Sequence, residues 1–262
     1  KSLSLRNTSI GKKGIKELIV IAQDTTSYGK DIYGKPALKE LLIELSKIED
    51  LSWIRIMYTY PSLLSEDLLE TINKLDKVVK YIDVPLQHVS KNMLEAMNRP
   101  VMDNKKLIKK IRKLIPNVAI RTTFIVGYPT ETEEDFKELY NFVKEMKIDR
   151  LGVFEFSREK NTKADKLKPQ ILSKVKKQRR KQLMQLQQEI SSNINKKLIG
   201  KKIDCIAEAI NEKGTIIART YKDAPEVDGL IYINTTTPVN PGDIITAKVT
   251  GAVEYDLIGI ID

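Results

Sequence analysis

Five consecutive polar residues, Gln23-Asp24-Thr25-Thr26-Ser27, follow the apolar run Glu17-Leu18-Ile19-Val20-Ile21-Ala22. An apolar run of that length reads as a strand of a buried parallel sheet. In parallel α/β folds, ligands collect at the carboxyl ends of the strands. Gln23, Asp24 and Thr25 are therefore candidate hydrogen-bonding contacts to a ligand, and a glutamine at a buried strand end needs a partner. The same residues also suit an Asx or Ser/Thr turn. A second strand-end segment, Asp83-Val84-Pro85-Leu86-Gln87-His88, offers Gln87 and the single histidine of the chain, His88. One histidine makes no transition-metal site by itself, and no cysteine stands near it to be activated as a nucleophile. Arg121 opens the run Arg121 to Val126. An arginine turned into a barrel must be paired, which makes Arg121 a candidate partner for a carboxylate. The stretch 127–136, Gly-Tyr-Pro-Thr-Glu-Thr-Glu-Glu-Asp-Phe, sets a tight turn and opens a helix whose first-turn acids suit the helix dipole. Phe154-Glu155-Phe156-Ser157 supplies aromatics for the core or for a ligand, and Ser157 as a donor. No GxGxxG, Walker, HExxH or nucleophile-elbow pattern occurs.

The elements that must position these residues alternate between two periods. Strand-length runs at 17–22, 53–57, 79–84, 119–126 and 151–156 are separated by helical patterns. The helices are read over 37–47, over 66–74 after a Ser65 cap, from Ser90 to Met97, over 105–114, and from a Thr132/Asp135 capping pair to Met146. Repeated βα units predict a parallel sheet with right-handed crossovers, as a partial or full βα barrel or a doubly wound sheet. A long amphipathic helix with Leu183, Leu186, Ile190 and Ile194 on one face ends at Gly200. Beyond it come short strands and Gly/Pro turns, which predict a small closed β-barrel. Two domains follow, 1–198 and 199–262. Residues 1–16 leave no room for a strand and helix before Glu17, so a truncated N-terminus, with a gap near Ile10–Gly11, is expected.

Composition narrows the function classes. The chain has 262 residues, a net charge of +10 and one cysteine, Cys205. One cysteine excludes an internal disulfide framework and any multi-thiolate cluster within this chain, and it suggests a reducing, cytoplasmic setting. No apolar run is long enough to span a membrane. Residues 199–262 hold six Lys and Arg against ten Asp and Glu, a net −4, which leaves +14 on the remainder. Residues 158–181 alone hold 11 Lys and Arg against Glu159 and Asp165. A basic body suggests a polyanion nearby, and an acidic tail domain suggests a basic partner.

Taken in order, the segments 22–29 (Ala-Gln-Asp-Thr-Thr-Ser-Tyr-Gly), 83–88, 97–100 (Met-Asn-Arg-Pro) and 121–136 resemble the methylthiotransferases of the radical S-adenosylmethionine superfamily. Residues 23–29 together with 219–229 (Arg-Thr-Tyr-Lys-Asp-Ala-Pro-Glu-Val-Asp-Gly) look like its RimO-type branch. The resemblance covers about 15–262 and implies an open βα barrel of about six units followed by a TRAM barrel. It implies methylthiolation of the β-carbon of an aspartate in small-subunit ribosomal protein S twelve. The cofactors it implies are S-adenosylmethionine and two four-iron four-sulfur clusters, one held by a CxxxCxxC loop and one in an N-terminal domain. The chain carries neither, so the fragment is expected to bind no cluster and to lack the radical step. Residues 3–10 look like the stretch just after the missing loop. Carried over by position, Gln23, Asp24 and Thr25 face S-adenosylmethionine, Arg121 pairs with its carboxylate or with a neighbouring group, Gln87, His88 and Ser157 line the cavity, and Phe156 packs on the cofactor. The acidic barrel suits a basic ribosomal protein, the basic stretch can meet ribosomal RNA, and a monomer is expected. The rival readings are a tRNA methylthiotransferase of the sister branch and a non-catalytic binding module.

Overall fold

The protein is described from a computed structural model over residues 14–261. The expectations placed on residues 1–13, including the likeness of 3–10, lie outside the described residues. Five parallel strands make one curved wall: β1 (Glu17–Val20), β2 (Trp53–Ile56), β3 (Tyr81–Asp83), β4 (Ala119–Val126) and β5 (Arg150–Glu155). β1 pairs with β2, and β3 with β4 and β5. The two sets meet where the Ile54 N–H donates to Lys77 O (2.7 Å) and the Val79 N–H to Ile54 O (3.0 Å). Strand order follows chain order without the reversal that defines a doubly wound sheet. The fold is therefore the open βα barrel, with five of about six expected strands among the described residues.

The helices between strands are α1 (Lys30–Tyr33), α2 (Leu38–Ser46), α3 (Glu66–Lys74), α4 (Lys91–Ala96), α5 (Asn104–Leu114) and α6 (Glu133–Met146). After β5 come α7 (Lys163–Lys166) and α8 (Ser173–Lys196). Ser65 caps α3 by accepting from the Leu68 N–H at 3.2 Å. Thr132 and Asp135 form a full capping box on α6. Ser90 precedes α4 but does not cap it, because its hydroxyl donates to Asp135 instead. Period-two alternation in β4 divides the wall. Ile120, Phe124 and Val126 are buried in the core beneath the helices, whereas Arg121, Thr123 and Ile125 are half-open on the concave face. No helix among the described residues is long and apolar enough to cross a membrane.

The C-terminal part is a closed barrel in the order β10-β8-β7-β6-β9, from β6 (Lys202–Ile210), β7 (Ile216–Thr220), β8 (Ile231–Asn234), β9 (Ile244–Ala252) and β10 (Leu257–Ile260). Alternate residues such as Ile231, Ile233, Ala247 and Val249 fill its interior. It docks on the concave face of the wall: Trp53, Val79, Tyr81 and Ala119 form one buried cluster with Ile206 and Ala224. Charge closes the seam. Glu17 accepts from Arg55 Nε at 2.8 Å and from Arg219 Nη2 at 2.5 Å. Among the described residues Arg55 Nη2 finds no hydrogen-bond acceptor, but the guanidinium lies 4.7 Å over the Tyr81 ring.

Burial raises the Glu17 pKa, but the Arg219 hydrogen bond and the charges of Arg55 and Arg219 outweigh it, and the net shift is downward. A carboxyl depressed in the folded state stabilises above its unfolded pKa, and the contribution is lost as pH falls through the folded value. Glu17→Gln is therefore expected to destabilise at neutral pH, with the difference from wild type beginning to shrink as pH falls below about 4, the ordinary glutamate value, and vanishing only below the depressed folded value, read by urea unfolding across a pH series. A constant difference down to the acid limit would remove this role from Glu17.

Candidate functional site

The concave face opens, at the carboxyl ends of the strands, into a polar cleft of about 240 Å³. The segment after β1 contributes Gln23, the segment after β2 contributes Tyr58, Thr59 and Tyr60, and the segment after β3 contributes Pro85 and Gln87. Arg121 and Thr123 of β4, Phe154 of β5, and Arg99 beyond α4 complete it.

The loop after β1 is both a turn and a wall of the cleft. Asp24 accepts from the Ser27 N–H (3.3 Å) and from the hydroxyls of Thr26 and Ser27, closing a 3₁₀ turn over Thr25–Ser27. Thr25 is buried, donating to Met57 O (2.5 Å) and accepting from the Ala22 N–H (3.0 Å). The Tyr60 N–H donates to Thr26 Oγ1 (3.0 Å). These bonds latch the loop to the end of β2, and Gln23 is the exposed residue that reaches the cleft. The expectation of a buried strand-end amide at Gln23 is thus corrected: its edge position leaves it in solvent.

Gln87 is held with φ +68 by two backbone bonds, its N–H to Thr123 O (2.8 Å) and the Ile125 N–H to its carbonyl (2.9 Å). Its Oε1 is buried and accepts no hydrogen bond among the described residues. An unpaired buried acceptor costs about 1–3 kcal/mol, so it is a place where a ligand N–H or O–H gains more than it would at the surface.

His88 does not line the cleft. It is fully buried, and its Nδ1 accepts from the Ser90 N–H at 3.1 Å. An accepting Nδ1 puts the ring proton of the neutral imidazole on Nε2, which faces Glu131 Oε1 at 3.4 Å. Glu131 in turn accepts from Arg179 Nη1 (2.9 Å) and from the Gly127 N–H. This network anchors the turn after β4. Phe156 is half-buried, edge-on to Tyr128 at 4.9 Å with Lys176 Nζ 5.0 Å over its ring, and Ser157 is exposed. Neither lines the cleft; Phe154, 58% exposed, does.

The two cleft arginines differ. Arg121 donates to Asp83 Oδ1 (3.1 Å), and its Nε lies 3.5 Å from Asp228 Oδ1. Arg99 sits 5.7 Å over the Tyr60 ring and forms no ion pair among the described residues. Among the described residues it is the cleft cation without a counter-charge. The strand-end rule applied to β2 would have found Tyr58 and Tyr60. Nothing in strand periodicity points to Arg99, which is set by the left-handed Asn98 (φ +53) after α4.

S-adenosylmethionine carries donors, a carboxylate and an aromatic base, and the orphan Gln87 acceptor, Arg99 and Phe154 fit those features. A cluster has no such fit. The only cysteine, Cys205, is buried in the C-terminal barrel, and burial pushes its thiol up to about 12, away from the thiolate a cluster needs. Among the described residues no group of three or more His, Cys, Asp or Glu is arranged to hold a metal ion.

Comparison with known proteins agrees with this architecture. The family model described as "Radical SAM superfamily" matches residues 6–143, and the model described as "TRAM domain" matches 199–261. A protein of Caldanaerobacter subterraneus subsp. tengcongensis named "Ribosomal protein uS12 methylthiotransferase RimO" is 49% identical over 252 residues, 95% of this chain and 57% of that protein. One of the same name from Clostridioides difficile is 46% identical over 252 residues, again 95% and 57%. The chain thus spans a little over half the length of these relatives. Among solved structures, coproporphyrinogen III oxidase (HemN) from Escherichia coli, described as a radical SAM enzyme, aligns with a TM-score of 0.45 and 20% identity over 60% of this chain and 37% of its own. With the superfamily model matching more than half of its residues, the chain belongs to the radical SAM superfamily and ends in a TRAM domain.

Proposed function

We propose that the chain is the S-adenosylmethionine-binding core and C-terminal domain of a ribosomal-protein methylthiotransferase, acting on an aspartate of ribosomal protein S twelve. The name shared by relatives 45–49% identical supports the substrate. The observation that carries the site is the buried, unpaired Oε1 of Gln87 in a polar cleft at the strand ends. In the whole protein, S-adenosylmethionine bound there would supply, on one-electron cleavage by a reduced cluster whose ligands this chain does not contain, the radical that abstracts a hydrogen atom from an unactivated C–H bond. Gln23, Gln87 and Thr123 hydrogen-bond the ligand, Arg99 receives its carboxylate, and Phe154 covers its base. Arg121 shapes the floor. Asp24 and Thr25 fix the loop that presents Gln23, and His88, with Phe156 packed on Tyr128, fixes the turn after β4. Two clusters serve the whole protein, with ligands that this chain does not contain. We place the division between the two parts at 198 and 199, and the enzyme in the cytoplasm as a monomer.

Charge supports the partners. The C-terminal part is net −4, a poor grip for phosphate and a suitable one for a basic ribosomal protein. On the basic stretch, Lys160, Lys163, Lys166, Lys168, Lys174, Lys177 and Lys181 are all exposed, a surface for ribosomal RNA. Gln87→Met tests the site. Removing a buried unpaired acceptor is expected to leave stability unchanged or raise it by about 1 kcal/mol, while calorimetry shows weaker S-adenosylmethionine binding. Unchanged affinity would sink the site. For the whole protein, reconstituted anaerobically with iron and sulfide, mass spectrometry is expected to show methylthiolated S twelve. Modification of tRNA instead would transfer the assignment to the sister branch.

A further inference from the structure

The segment 221–230 joins β7 to β8 of the C-terminal barrel, yet two of its carboxylates, Asp223 and Asp228, are buried against the βα wall. In the β4–β5 register Arg121 stands beside Arg150. Two like charges on one buried face repel unless each is neutralised. The segment supplies both counter-charges: Asp223 takes Arg150 at 2.5 and 2.8 Å, and Asp228 lies 3.5 Å from Arg121 Nε. Asp228 is itself gripped. Its Oδ2 accepts from the Tyr81 hydroxyl (2.6 Å) and from the Ala224 N–H (2.9 Å), which leaves Oδ1 turned to Arg121. Gly229 next to it touches the Tyr255 carbonyl so closely that a Cβ would overlap it, and the Leu230 N–H donates to Asp256 Oδ1 at 2.8 Å. The carboxylate therefore has a fixed position relative to the barrel.

The chain of contacts continues upward. Arg121 Nη1 donates to Asp83 Oδ1 (3.1 Å), and Asp83 Oδ2 accepts from the N–H of Tyr58 (3.0 Å), which has φ +54. Arg121 and Tyr58 both line the cleft. We propose that Asp228, carried by the C-terminal domain, is a positioning residue for the cofactor cleft: it fixes Arg121, and through Asp83 the Tyr58 wall, so that the C-terminal domain forms the floor of the ligand site. This deepens the proposed S-adenosylmethionine site and rests on it. It also couples the two parts energetically, because whatever shifts the barrel on the wall shifts the cleft floor.

Asp228→Asn keeps the size of the side chain and its bonds to Tyr81 and Ala224 but removes the charge that holds Arg121. In the 262-residue chain it is expected to weaken S-adenosylmethionine binding about tenfold by calorimetry, with the unfolding midpoint close to wild type. The Arg121 side-chain Nε–H resonance in a ¹⁵N spectrum is expected to shift or broaden. Tyr81→Phe, which releases one grip on Oδ2, is expected to move the same resonance less, and it serves if Asp228→Asn does not fold. An Arg121 resonance unchanged in these variants overturns the positioning role. So does unchanged affinity in a protein whose wild type binds. A wild type with no S-adenosylmethionine affinity sinks the cleft reading instead, and the Arg121 resonance then decides the positioning role by itself.

Discussion

Arg150→Met is expected to lower the stability of the chain by about 3–5 kcal/mol, the range found when one partner of a buried ion pair is removed. Arg150 and Asp223 have side chains 7% and 2% exposed, so water cannot replace the lost partner. Arg150 also donates to Asp149 O at 3.1 Å, and Asp223 also accepts from the Thr220 hydroxyl at 2.5 Å. Deleting the guanidinium strands Asp223 with that single hydroxyl at Oδ2, in the seam between wall and barrel. The double variant Arg150→Met/Asp223→Leu is expected to recover most of the loss, because replacing a buried pair by apolar groups is often near neutral. Urea unfolding of the two single variants and the double variant gives the coupling energy directly. Simple additivity of the two single losses would show that the pair does not hold the seam.

That seam marks the limit of what one-dimensional pattern could show. The wall was legible because parity and period carry it. β4 alternates buried and half-open residues, α5 and α6 present apolar stripes, and the Thr132/Asp135 box announces where α6 begins. The closed barrel was legible in its short strands and turns. The docking of one on the other was not, because 219–229 is as polar as any surface turn, and its two buried aspartates meet partners some 70 to 150 residues earlier. The need for a carboxylate partner was readable at Arg121, but not which carboxylate, and the structure supplies Asp83 and Asp228 from distant parts of the chain. The same argument applied to Arg55, charged and fully buried in the middle of β2, would have announced a buried ionic layer. His88 was drawn toward the site by its strand-end position. The Ser90 N–H on its Nδ1 and Glu131 beside its Nε2 satisfy it inside the fold.

Arg99 and Arg121 are both half-open cleft arginines, and their substitution separates ligand binding from cleft architecture. Arg99→Leu is expected to weaken S-adenosylmethionine binding by about tenfold to a hundredfold, the worth of one or two hydrogen bonds to a charged group. Its effect on stability is expected to be small, because it forms no ion pair among the described residues and loses only a ring contact with Tyr60. Arg121→Met is expected to do the reverse in proportion. It leaves Asp83, fully buried, without its guanidinium and frees Asp228, so stability falls first and affinity follows through the Tyr58 wall. The discriminating measurement is the pair of ratios, affinity loss against unfolding free-energy loss, for each variant. If Arg99→Leu binds as wild type does while Arg121→Met binds more weakly at matched stability, the ligand carboxylate belongs to Arg121. The two carboxylates around Arg121 would then be its orienting frame and not its counter-charge.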